Sequence, residues 1–137
     1  MIPFIGIMLF VVLAYLLSES RLKFCYGEQL VFVVLWLFSG FRYEVGRDFQ
    51  TYEAIYNMPE HHVNQFMEPT WIWISDLLRF FGFSSQVWFL LTSFVILYLI
   101  FYGIKKLSPN FYLSVVLFVV GYFYFESMNG VRQYVAF

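Results

Sequence analysis

The chain has 137 residues, of which 61% are hydrophobic, 25% aromatic and only 12% charged, with a formal net charge of -1 and a mean hydropathy of +0.71. That balance excludes an ordinary soluble domain and places the chain in the membrane class. It also excludes nucleic acid as a partner, since a duplex binder needs a clustered excess of Lys and Arg.

The first element is an apolar run from Ile2 to Leu17, about 16 residues against the roughly 20 of a transmembrane helix. It lacks the basic leader and small-residue cleavage site of a signal peptide, so a retained first span is expected. A single cysteine, Cys25, follows and cannot form an internal disulfide. The second run, Gln29 to Phe41, has about 13 residues and reaches only about 20 Å, well short of a hydrocarbon core near 30 Å. It must borrow residues, drawing in Glu28 at one end or Arg42 at the other.

A tight polar cluster comes next: Arg42-Tyr43-Glu44-Val45-Gly46-Arg47-Asp48. Asp48 is placed to cap a short helix through Tyr56, with Phe49, Tyr52 and Tyr56 on one stripe. A second helix is expected from Pro69, a favourable first helical position. On a helical wheel Trp71, Ile74, Leu77, Leu78 and Phe81 share one face, with Thr70, Ser75, Asp76 and Arg79 on the other. Such a helix lies in the membrane interface, where tryptophan is at home.

Val87 to Ile104 is the third predicted span, about 18 residues, and Phe111 to Phe125 the fourth, about 15. Glu126 then falls where the bilayer should still be apolar, a conflict that local thinning or a water-filled cavity resolves. It opens the second polar cluster, Glu126-Ser127-Met128-Asn129-Gly130-Val131-Arg132-Gln133. From Gly130 to Phe137 the chain reads as the opening of a further apolar helix that starts near Asn129, so a fragment of a longer protein is expected.

Arg21 and Lys23 lie between the first two spans, and Lys105 and Lys106 between the third and fourth. If the spans alternate, the positive-inside rule makes that side cytoplasmic and puts the amino terminus, the 42–85 loop and the second cluster outside. The expected architecture is therefore all-α and polytopic. Residues 1–137 would form a single membrane domain of about four transmembrane helices, the start of a fifth and an external amphipathic helical loop.

Arg42, Arg47 and Arg132 are candidates for an anion clamp, because guanidinium offers a fork of donors that fits phosphate oxygens. Arg132 would add to this by sitting in the first turn of a helix, where backbone N–H groups favour an anion. The same arginines have ordinary alternatives in Glu44, Asp48, Glu126 and lipid headgroups. Asp48 and Glu68 are carboxylates able to activate an acceptor hydroxyl or, equally, to cap helices. Asn129 and Gln133 suit sugar hydroxyls, and Asn129 also suits a cap. The aromatic set of Trp71, Trp73, Tyr52 and Tyr56 fits either sugar stacking or interfacial anchoring. His61-His62 beside Glu60 does not make a metal site, since adjacent residues point apart and no further His exists. Neither a metal nor a cofactor is expected.

The ordered set Phe41-Arg42-Tyr43-x-Val45-Gly46-x-Asp48-Phe49-x-x-Tyr52, Glu68-Pro69 and Asn129-Gly130-Val131-Arg132-Gln133 resembles the EpsG family of Wzy-like bacterial polysaccharide polymerases. The resemblance implies a multispanning enzyme of the bacterial cytoplasmic membrane. It would join repeat units carried on undecaprenyl pyrophosphate during exopolysaccharide or capsule assembly. Arg42 and Arg132 would hold the donor pyrophosphate, with Tyr43, Arg47, Tyr52, Asn129 and Gln133 completing substrate binding, and Asp48 or Glu68 would manage the acceptor proton. Implied partners are the lipid-linked oligosaccharide, the bilayer and other polysaccharide-assembly proteins. The residues alone leave open a transporter of lipid or saccharide and a non-catalytic membrane subunit.

Overall fold

The computed structural model describes residues 2–19, 26–42, 49–57 and 69–129, and among them there are helices and no strand. In chain order the helices are α1 (Ile2–Glu19), α2 (Gly27–Gly40), α3 (Phe49–Asn57), α4 (Pro69–Phe80), α5 (Ser85–Leu107), α6 (Phe111–Val120) and α7 (Phe123–Asn129).

Local signals account for most of the ends. Asn110 caps α6, its side-chain oxygen accepting the Leu113 N–H at 3.1 Å. Pro109 forbids the helical conformation to Ser108, which is extended and closes α5. At the second run the helix borrows backward: α2 takes in Gly27 and Glu28 and stops at Gly40, so Arg42 stands outside it. Glu28 is accommodated by Lys105 of α5, whose Nζ lies 2.6 Å from its carboxylate.

Four helices close into a ring. α1 packs on α2, α2 on α5, α5 on α6 and α6 back on α1. The core inside draws Ile7 and Val11 from α1, Val31 and Leu35 from α2, Leu97 and Phe101 from α5, and Val115 and Val119 from α6. These positions recur at three- or four-residue spacing, the stripe a packed helix needs. Buried polar atoms pin α2 to α5: Trp36 Nε1–H donates to the Leu90 carbonyl at 2.9 Å and the Ser39 hydroxyl to that of Ser93 at 3.0 Å. Gln86 donates to the Gly40 carbonyl. A Cβ on Gly40 would meet Leu90 Cδ2 at 2.5 Å and its Cα at 3.2 Å, so the two helices approach closely at glycine and a larger residue would displace the Leu90 side chain.

The outward faces of these helices are hydrocarbon. Ile5, Leu9, Leu13 and Leu16 on α1, Leu30, Val33 and Leu37 on α2, and Leu113 and Leu117 on α6 are all exposed. Contiguous apolar surface on this scale is foreign to soluble monomers. Among the described residues α5 is the helix long and apolar enough to cross a membrane unaided. Its 23 residues extend about 35 Å. The expected spans over α1, α2 and α6 are shorter apolar helices, their apolar stretches covering Phe4–Ser18, Gly27–Gly40 and Phe111–Val120.

Two further expectations change. The fourth span is not one helix: α6 stops at Val120, Gly121 and Tyr122 make a turn, and α7 begins at Phe123. Tyr122 has φ 71°, the left-handed region, and its carbonyl accepts from the N–H groups of Phe125 and Glu126 at 3.1 and 3.0 Å. The polar run from Glu126 to Asn129 belongs to α7, and the expected helix opening over 130–137 lies outside the described residues.

The second change concerns α4. It starts at Pro69 as expected, and Ile74 and Leu78 of the expected apolar face pack inward, but Ser75 of the opposite side is buried with them while Leu77 and Phe81 are exposed. Packing decides this rotation, because α4 docks on α5 with Leu78 against Trp88 and Phe89. Trp73, Leu77 and Phe80 face outward, with Trp73 77% exposed.

Candidate functional site

Arg42, the first residue of one polar cluster, and Glu126–Asn129 of the other come together at one end of the ring. Gly40 at the end of α2 abuts Gln86 and Leu90 at the start of α5. Phe4 at the start of α1 packs edge-on to Phe125 of α7, centroids 4.9 Å apart. That end therefore gathers the starts of α1 and α5, the end of α2, and α7. The opposite end holds the Glu28–Lys105 pair.

Arg42 leaves α2 two residues after its last turn and is 4% exposed. One guanidinium nitrogen donates to the carbonyl of Met128 in the last turn of α7. The guanidinium carbon also lies 4.8 Å from the centroid of the Phe89 ring on α5. Each contact answers part of the cost of burying a charge. A backbone carbonyl oxygen is a strong acceptor for the charged guanidinium, and a ring face attracts a desolvated cation by about 2 kcal/mol. Phe89 is itself fixed by the cluster of Tyr56, Leu78, Trp88 and Ile96, so α3 and α4 brace the shelf on which Arg42 rests.

Behind the arginine, Tyr124 of α7 is fully buried and donates its hydroxyl to the Leu35 carbonyl of α2 at 2.6 Å. This bond and the Arg42–Met128 bond are two ties between α2's end of the molecule and α7. On the loop side, the Tyr56 hydroxyl donates to the Phe83 carbonyl at 2.8 Å and so joins α3 to the segment before α5. Burial raises the Tyr56 phenol above its ordinary value, and Arg79 offsets this in part.

Of the sequence-derived site residues, Arg42 is placed in full. Tyr52 is in α3 and Asn129 is the final residue of α7, both described as backbone. Tyr43, Arg47, Asp48, Glu68, Arg132 and Gln133 lie outside the described residues, as do His61 and His62. Among the described residues no group of three His, Cys, Asp or Glu side chains is arranged to hold a metal. Phe89, Tyr124 and the Met128 carbonyl went unnoticed in the sequence. Phe89 sits in an unbroken apolar run and Tyr124 in a row of four aromatics, while a backbone carbonyl leaves no sequence trace.

Residues 29–137 match the model of the EpsG family. No curated protein and no solved structure matches the chain.

Proposed function

The chain belongs to the EpsG family, and on that basis we propose that it is part of a glycosyl-transferring polymerase of the bacterial cytoplasmic membrane. In this reading α1, α2, α5 and the α6–α7 pair are four spans, with the Lys105 end cytoplasmic and the Arg42 end outside. The substrates are repeat units on undecaprenyl pyrophosphate, destined for exopolysaccharide or capsule, and other polysaccharide-assembly proteins are partners.

The observation that carries the reading is the Arg42–Met128 bond, which links the first residue of one polar cluster to the backbone of the other. A buried guanidinium in a largely apolar helical protein is expensive and marks function. Arg42 and Arg132 hold the donor diphosphate; Tyr43, Arg47, Tyr52, Asn129 and Gln133 contact its phosphates and sugars. Asp48 or Glu68 takes the proton from an acceptor hydroxyl as that oxygen attacks the donor's anomeric carbon. The bond from that carbon to the diphosphate breaks, and undecaprenyl pyrophosphate leaves with its developing charge met by the arginines.

The experiment is chain extension of lipid-linked repeat units by the full-length protein in proteoliposomes. Arg42→Ala and Arg132→Ala are each expected to cut extension at least tenfold. Unchanged product length in both variants overturns the assignment.

A further inference from the structure

At the end of the ring remote from Arg42, an open groove of about 410 Å³ lies between α2, α5 and the start of α6. Its walls are Phe32 and Val33 of α2, Tyr98 and Phe101 of α5, and Phe111 at the start of α6, with almost no polar surface. Glu28 and Lys105 stand at its mouth, Lys105 Nζ 2.6 Å from the Glu28 carboxylate. Lys106 reaches over the ring of Tyr102, 6.0 Å from its centroid, and both lysines are exposed.

We infer that this groove binds an anionic phospholipid, with an acyl chain along the aromatic slot and the phosphate on Lys105 and Lys106. The volume is in the range of small-molecule sites. Two lysines against one carboxylate leave the mouth with one excess positive charge, and a basic pocket between membrane helices is the usual setting for an anionic headgroup. Charge at one end and hydrocarbon along the rest also match the amphipathy of a lipid. A docked protein helix fits less well, because it would bury the Glu28–Lys105 pair and bear its desolvation. A headgroup leaves that pair in water. The assignment to the cytoplasmic leaflet rests on the orientation proposed above; the site does not.

The test is native mass spectrometry of the detergent-purified protein incubated with equimolar dioleoylphosphatidylglycerol and dioleoylphosphatidylcholine. Retention of the glycerol lipid should exceed that of the choline lipid severalfold. The double variant Lys105→Gln, Lys106→Gln should abolish the preference. Val33→Trp, which fills the slot, should lower retention of both lipids. Glu28→Gln should strengthen the preference by leaving Lys105 uncompensated. That sign is decisive: if the ion pair serves only structure, Glu28→Gln and Lys105→Gln act in the same direction, and the inference falls. Equal retention of the two lipids, or displacement by soluble glycerol phosphate, overturns it as well. The readout involves no polymerisation, so its failure is distinguishable from failure of the polymerase reading.

Discussion

Arg42 is held by groups that a lysine cannot use in the same way. Its guanidinium donates to the Met128 carbonyl while lying over Phe89, and both contacts exploit a planar, delocalised cation. Arg42→Lys keeps the charge and loses the plane, so chain extension is expected to fall about as far as in Arg42→Ala, at least tenfold. Retention of wild-type extension by the lysine variant would show that charge alone matters. Phe89→Leu approximates the volume and removes the π face, with an expected stability cost of about 1 kcal/mol in thermal unfolding. Tyr56 makes a second prediction at this scale. Its phenol is raised in the folded chain by burial, so the neutral form is favoured there. The resulting stabilisation is complete below the ordinary value near 10.0 and is lost as pH rises through the higher folded value. Unfolding midpoints should drop from about pH 10 upward, and Tyr56→Phe should make that drop shallower, the other buried phenols retaining their share.

Among the elements, the α6–α7 break most alters what the apolar pattern implied. From Phe111 to Phe125 the residues read as one run, and only Gly121 hints at an interruption, a residue common enough inside membrane helices to pass unremarked. In the fold a Cβ at Gly121 would lie 2.6 Å from the Leu117 carbonyl oxygen, and Tyr122 adopts the left-handed conformation at φ 71°. A non-glycine residue there stores about 1–3 kcal/mol. Tyr122→Asn, which tolerates that region, should leave thermal stability unchanged or raised; Tyr122→Val, β-branched, should lower it by about 1–2 kcal/mol. Equal stabilities would show that the turn carries no strain. The break also determines which end of α7 meets Arg42. A continuous helix would run past it, whereas the restart at Phe123 brings the Met128 carbonyl to the guanidinium.

For the whole molecule, the ring of α1, α2, α5 and α6 makes the alternation of its ends a geometric fact: Glu28 and Lys105 at one end, Arg42 and Met128 at the other. Whether a bilayer separates those ends is the content of the four-span proposal. In a Cys25→Ser background, Gln50→Cys should react with an impermeant maleimide in intact cells. Leu107→Cys should react only after permeabilisation. Labelling of both from the same side would refute the alternation.

Composition and apolar periodicity sufficed for the all-helical character of the described residues and for the helices through Tyr56 and from Pro69. These follow from local energetics, in which hydrophobic runs and caps act over a few residues. The partners of Arg42, the inward face of α4 and the break after Val120 were decided by tertiary packing. Each depends on contacts between different elements: Met128 and Phe89 against Arg42, Trp88 and Phe89 against Leu78, Leu35 against Tyr124. A one-dimensional pattern assigns a residue to a face, but only the neighbouring helix selects which part of that face is buried, or which backbone carbonyl a side chain will meet.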